Sequence, residues 1–195
     1  METIDWAGPV GLTAGVVWCA QAFSMTTASR RYVSSSPPLS SRAGGIDLRM
    51  KLLPEKLRTA GFRSYMLGKG HIGARSDANL PINRGFDHHF GYLGGAEDHY
   101  TNENGGCGEC GKKTDLWRDR GPATGEAGGE FAAYKYDREA LRVISTHDGA
   151  TPLFVYYALQ CAHAPNEPDK FGALYADRTE EFANYNGMIS AVDSA

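Results

Sequence analysis

The feature that most constrains this chain is residues 153–159, LFVYYAL, a continuous apolar and aromatic run entered through Pro152. A run of this length with no polar residue at alternate positions predicts a strand buried on both faces of a parallel sheet. Residues 134–147 just ahead of it read as an amphipathic helix, with Tyr134, Ala140 or Leu141, Val143 and Ile144 as the apolar stripe and Gly149 as a stop. The same helix-then-strand order occurs earlier. Leu52, Leu53, Leu57 and Ala60 recur at helical spacing, Pro54 suits the first turn, and Gly61 is placed to end the helix in a left-handed conformation. Residues 62–67, FRSYML, then read as a short strand that ends at Gly68. Two such units predict an α/β chain with a mostly parallel central sheet flanked by helices.

The rest of the chain is less patterned. Residues 179–192 predict a further helix, and residues 73–129 read as a long irregular stretch, rich in Gly, Asn and Asp and pinned to the body by Phe86, Phe90, Tyr92 and Tyr100. Residues 34–45, SSSPPLSSRAGG, read as a linker, because two prolines remove backbone donors and no periodicity is present. The expected division is therefore a poorly patterned segment and linker over 1–44 and an organised domain over 45–195.

Composition narrows the function. With 195 residues, 42% of them hydrophobic and 22% charged, folding should bury roughly 70% of the unfolded chain's surface, so disorder of the whole chain is excluded. Twenty Lys and Arg stand against 23 Asp and Glu, a net charge of −3, which leaves no broad basic field for nucleic acid; any anion site must be local. No apolar run reaches the ~20 residues of a membrane span, since residues 9–23 are too few and are broken by Gly11, Gly15 and Gln21. Val10 to Ala20 has the length of a signal-peptide core and Ala20-Gln21-Ala22 resembles a cleavage site, but Glu2 and Asp5 precede it with no Lys or Arg, so the signal is weak and a buried strand is the alternative. Of the four cysteines, Cys107 and Cys110 form a C-x-x-C in a glycine-rich stretch. A loop disulfide or plain thiols, a zinc site and a redox pair all remain open for them.

In parallel sheets ligands bind just beyond the carboxyl ends of the strands. Lys69 and His71 follow the first predicted strand, and His163 follows the second. A Lys supplies a compact positive charge, and a His can donate a hydrogen bond to an oxyanion or protonate a leaving group near neutral pH. The ligand that suits this set is a tetrahedral oxyanion. His88, His89, His99 and His147 show no partner pattern, and the first two read as structural or surface residues. Asp87, Glu97 and Asp98 have the chemistry to bind a cation, but scattered loop carboxylates are usually solvated, and no metal ligand is assigned.

At these same positions the chain resembles the sulfatase family, and within it the arylsulfatases of the B type. Leu53-Pro54-Glu55-Lys56-Leu57, Ala60-Gly61-Phe62 and Gly68-Lys69-Gly70-His71-Ile72-Gly73 are similar to the family's L-P-x-x-L, A-G-Y and G-K-W-H-L-G, with Gly70 in place of Trp. Arg84-Gly85-Phe86-Asp87, Phe90-Gly91, Asp98-His99-Tyr100-Thr101 and Asp115-Leu116-Trp117 continue the likeness in order, followed by residues 152–160 and the H-x-P loop His163-Ala164-Pro165. Met188, Ser190, Ala191 and Asp193 match the start of the next helix. The resemblance covers residues 46–195 and implies an alkaline-phosphatase-like sandwich, here partial, that hydrolyses sulfate esters with a formylglycine and a bound calcium. It implies that Lys69 and His71 contact the sulfate and that His163 binds it or protonates the leaving group, making His71 and His163 the catalytic pair. It also implies a sulfate ester small molecule or sulfated glycan as partner and an extracellular or lysosomal setting.

The chain departs from the family pattern at its nucleophile. The nearest string to C-x-P-x-R or S-x-P-x-R is Thr26-Thr27-Ala28-Ser29-Arg30, where only the Arg survives and Thr is not the residue converted to formylglycine. The paired Asp ligands for calcium are missing near the amino end, and the family's Asp-Asn pair belongs to a strand expected after residue 195. The expectation is a sulfuric ester hydrolase represented by an incomplete catalytic domain, with an exposed sheet edge and poor solubility. The alternative is a non-catalytic sulfatase-derived domain that binds sulfated glycans, or a fragment of a longer protein.

Overall fold

The computed structural model describes residues 15–18, 45–74, 76–104, 113–167 and 169–194. In chain order the elements are β1 (Gly15–Trp18), α1 (Leu53–Thr59), β2 (Arg63–Lys69), β3 (His88–Tyr92), β4 (Glu103–Asn104), β5 (Lys113–Thr114), β6 (Trp117–Arg118), β7 (Gly121–Pro122), α2 (Ala132–Thr146), β8 (Leu153–Ala158) and α3 (Glu180–Asp193). Six strands form one mixed sheet in the order β1-β8-β2-β3-β6-β7. The first four run parallel, and β6 and β7 add an antiparallel hairpin at one edge. The four-residue strand Gly15–Trp18 lies within the segment whose alternative reading was a buried strand, and it pairs in parallel with β8.

β8 is the sheet's most apolar strand because it feeds two cores. Val155 and Tyr157 join Leu67, Phe90, Tyr92, Leu116, Tyr136 and Val143 beneath α2, while Phe154 packs with Met66 and Phe86 on the side where Leu57 of α1 lies. α1 ends at Gly61, whose φ of +83° is readily adopted only without a Cβ. α3 opens at Thr179, whose side chain accepts the Phe182 N–H, and buries Met188 and Ala191 against Phe131, Ala133 and Cys161.

Two expectations need correcting. Residues 73–129 are not merely irregular: they contain β3, which lies parallel to β2 with all five residues buried, and the antiparallel pairs β4–β5 and β6–β7. The pattern hid because HHFGY has two histidines and a glycine where a central strand ordinarily has Val, Ile or Leu. For the same reason Phe86, Phe90, Tyr92 and Tyr100 form no single pinning cluster; Phe86 and Phe90 serve opposite faces of the sheet, and Tyr100 is exposed. The second correction concerns α2. Leu141 and Ile144 are 66% and 53% exposed, and the buried face carries Ala132, Ala133, Lys135, Tyr136, Glu139 and Val143. The helix turns this way because its polar members are paired. Glu139 Oε1 accepts from Arg118 Nη1 at 2.8 Å and Arg142 Nη2 at 2.6 Å, and lies 2.7 Å from His88 Nε2. Burial works to raise the Glu139 carboxyl, but these bonds pull it down to about 2.

His88 and His89 are structural. His88 sits between Asp119 and Glu139. His89 is fully buried, and neither ring nitrogen has a hydrogen-bond partner. Burial, with the His88 charge adding to it, pushes the imidazole down to about 3. The folded state therefore refuses a proton that the unfolded chain takes below about 6.5, so this contribution to stability is complete above that pH and is lost toward pH 3 at about 1.4 kcal/mol per unit. His89→Leu should remove that acid slope and raise stability at neutral pH by about 1 kcal/mol, because two orphaned nitrogens leave the core. Urea unfolding of both chains at pH 4 and pH 7 checks this; equal midpoint shifts at the two pH values would refute it.

Candidate active site

The parallel strands β1, β8, β2 and β3 all present their carboxyl ends to one edge, and the three sequence-predicted residues hang there. Lys69 is the last residue of β2, two residues ahead of His71, and His163 lies five residues beyond β8. The local backbone is built to make this turn. Gly68 has φ +88°, and a Cβ on it would stand 2.1 Å from the Ala158 carbonyl oxygen of β8. Its partner across the ladder is Gly91, whose Cβ would stand 1.9 Å from the Gly68 carbonyl oxygen. Gly70 donates its N–H to Tyr92 O at 2.8 Å, and a Cβ there would lie 2.9 Å from that same oxygen. Gly70 therefore stands in close approach to the end of β3. His71 itself adopts φ +46°, an uncommon conformation for a residue with a side chain.

The electrostatics tie the three together. Burial holds the half-buried Lys69 below its usual range. His71 is lowered by burial first, then by the positive charges of Lys69 and His163, so all three share one field. Depressing the imidazole favours a neutral His71 beside a positive Lys69, a pair that can receive one anion without two like charges in contact. His163 is exposed, and its Nδ1 donates to Ala164 O at 2.7 Å. A carbonyl only accepts, so Nδ1 carries the proton and Nε2 is left for a ligand.

Sequence reasoning missed the supports beneath these groups. Asp115 accepts from Leu93 N (3.2 Å), Gly94 N (2.8 Å), Asn104 Nδ2 (3.1 Å) and Trp117 Nε1 (3.0 Å). It clamps the loop after β3 so that Gly95 lies against the His71 ring, where a Cβ would be 2.9 Å from Cε1. Glu97, expected to be solvated, is 1% exposed. It accepts from Tyr136 Oη at 2.5 Å and Asn102 Nδ2 at 3.1 Å, and burial pushes its carboxyl up to about 7. Lys135 Nζ donates to Asn102 Oδ1, Glu126 O and Gly128 O. Gln160 grips the Glu97 backbone at both ends, accepting its N–H at 2.7 Å and donating to its carbonyl. The network thus joins the loop after β3 to the loop after β8. The E-D-H-Y segment was the only hint of it. Asp87 bonds Arg58 and Ser64 N, and Asp98 accepts from Tyr100 N and Thr101 N, so both carboxylates serve local structure.

Among the described residues, no group of three or more His, Cys, Asp or Glu side chains is arranged to hold a metal ion. Cys107, Cys110 and the Thr26–Arg30 string lie outside the described residues. No helix among the described residues is long and apolar enough to cross a membrane.

The mixed, mostly parallel sheet with α1 and α2 packed on opposite faces is an alkaline-phosphatase-like α/β fold. The solved structure of Ps i-CgsB shares it, with a TM-score of 0.67 at 22% identity over 80% of this chain and 37% of that one. The PsFucS1 sulfatase from Pseudoalteromonas sp. gives a TM-score of 0.50 at 16% identity over 72% and 33% of the two chains. The sulfatase family profile matches residues 13–195, and the chain belongs to that family. Its curated relatives include arylsulfatase J of Mus musculus, 33% identical over 73% of this chain and 24% of that protein. N-acetylgalactosamine-6-sulfatase of Mus musculus is 32% identical over 78% and 29%. The chain therefore spans 24% to 29% of the length of these relatives.

Proposed function

We propose that this chain supplies the sulfate-holding edge of an arylsulfatase-type sulfuric ester hydrolase. What supports the reading is position: Lys69 ends β2, His71 follows it and His163 follows β8, and β2 and β8 are neighbouring parallel strands with their carboxyl ends at the same edge. Lys69 supplies the fixed positive charge toward the sulfate oxygens. His71, kept neutral, adds a directional hydrogen bond. His163, with Nδ1–H engaged by the Ala164 carbonyl, takes up a second proton at Nε2, and that N–H donates to a sulfate oxygen or hands its proton to the departing alcohol oxygen as the S–O bond breaks. In sulfatases a calcium ion polarises the sulfate and a formylglycine attacks it. The described residues do not fit a calcium site, and the roles given to Lys69, His71 and His163 stand without either group.

The substrate class follows from the same edge: a sulfate ester of a small molecule or of a glycan. Two similar proteins support the sugar branch, a curated relative bearing the name N-acetylgalactosamine-6-sulfatase and the solved structure of Ps i-CgsB in complex with k-i-k-neocarrahexaose. An extracellular or lysosomal setting accords with such substrates.

The test is turnover of an aryl sulfate by the full-length protein and its variants. Lys69→Ala and His163→Ala should each lower kcat/KM at least about tenfold, a loss of roughly 1.4 kcal/mol of transition-state stabilisation. Unchanged kinetics in both would overturn the site. Salt-sensitive binding of a sulfated sugar with no product release would instead favour the non-catalytic reading.

A further inference from the structure

His99 lies beneath the His163 loop and is asked for two incompatible things. Its Nε2 is 3.2 Å from the His163 carbonyl oxygen and 3.1 Å from the Gln160 amide nitrogen. A carbonyl only accepts and an amide nitrogen only donates, so the first contact needs a proton on Nε2 and the second needs a bare lone pair. The Gln160 amide cannot flip to relieve the conflict. Its oxygen accepts the Glu97 N–H at 2.7 Å, and its nitrogen donates to the Glu97 carbonyl.

The contact on the other side of the ring favours the first state, in which the Gln160 amide nitrogen keeps its bond to the Glu97 carbonyl. Cys161 Sγ lies 3.9 Å from His99 Nδ1, and burial pushes this thiol up to about 12, so the sulfur keeps its proton and can donate it. Burial holds His99 below the usual imidazole range, while the His163 carbonyl at Nε2 acts the other way. A neutral ring that accepts at Nδ1 must carry its proton on Nε2, facing His163 O. The ring is otherwise fixed, stacked on Phe131 at 5.1 Å and 8°, with its backbone N–H donating to Glu167 Oε2 at 2.6 Å and its carbonyl accepting Ala132 N–H.

We propose that His99 is a positioning residue for His163: held as its Nε2–H tautomer by the Cys161 thiol, it donates to the His163 carbonyl and sets where that imidazole stands at the sheet edge. The inference rests on the anion-holding role given to His163 above, and it adds a neutral buried histidine whose tautomer is functional.

Nitrogen-15 spectra of the imidazoles in the histidine-labelled full chain test it without any need for turnover. At pH 7 His99 should show a protonated Nε2 and an acceptor Nδ1. Cys161→Ser, which keeps a donor, should preserve that state, and Cys161→Ala should shift the ring toward the Nδ1–H tautomer. His99→Phe keeps the stack on Phe131 and removes the donor. It should displace the His163 resonances and weaken inorganic sulfate binding up to about tenfold, the scale of one hydrogen bond. A wild-type ring in the Nδ1–H or doubly protonated state would overturn the proposal, as would a folded His99→Phe chain with unchanged His163 resonances. If His99→Phe does not fold, the Cys161 pair decides alone. Failure of wild type to bind sulfate would count against the proposed function while leaving the tautomer result standing.

Discussion

Replacing Gly68 by alanine is expected to lower the thermal midpoint by about 10 °C and to abolish sulfate binding. Two separate penalties meet at this position. A φ of +88° is a conformation that costs a residue with a Cβ about 1–2 kcal/mol. The added methyl would also stand 2.1 Å from the Ala158 carbonyl oxygen, a backbone atom held in the β2–β8 ladder, so the strands must separate rather than a side chain swing aside. Overpacking of that kind adds roughly 1–3 kcal/mol, and in a chain of this size each kcal/mol is worth about 2–4 °C. The separation would fall immediately before Lys69. Gly61→Ala is the control: φ is +83° there, but nothing lies within 4 Å of its Cβ, so only the conformational part should appear. Scanning calorimetry of both variants measures the difference. Equal, small shifts would mean that β2 and β8 are not in such close contact.

Lys135→Met should unfold the protein more readily still. The ammonium makes three hydrogen bonds from inside α2's buried face, at 2.9 Å to Asn102 Oδ1, 2.6 Å to Glu126 O and 3.1 Å to Gly128 O. Methionine fills the space but offers no donor, leaving those oxygens short of a partner and Glu97 without its neighbouring positive charge. Removing one member of a buried charged network costs about 3–5 kcal/mol. Glu97→Gln made in the same background should add less than it does alone, because the two groups share Asn102. Urea midpoints of the two single variants and the double variant give the coupling. Additive shifts would show that the two charges are independent.

The elements legible in the sequence were those whose pattern is local. Helix α1 has its Pro and Gly punctuation, β8 its apolar run, and α3 its Thr179 cap. The three edge residues could be found because a position just after a strand is enough to nominate them. What escaped depends on partners distant in the chain. β3 is buried although it reads HHFGY, because Asp119 and Glu139 answer His88 from 31 and 51 residues away. Lys135 and Glu139 turn inward for the same reason, carrying Leu141 and Ile144 outward with them. Asp115, Glu97, His99 and Gln160 look like ordinary loop residues until the loops are brought together, since hydrogen bonding between loops leaves no periodic trace.

The order β1-β8-β2-β3 has a consequence for the timing of events. β2 and β8 are direct neighbours in space, yet their paired residues, such as Arg63 and Leu153, stand 90 residues apart in the chain. The carboxyl ends of β2 and β8, which lead into Lys69 and His163, therefore come side by side only after the slow, long-range step of folding has closed. The anion site proposed above would be complete in no half-formed intermediate. Sulfate, if it binds as proposed, recognises the finished sheet alone, and a saturating concentration of it would act as a folding ligand, drawing the population toward the one state in which those strands are joined.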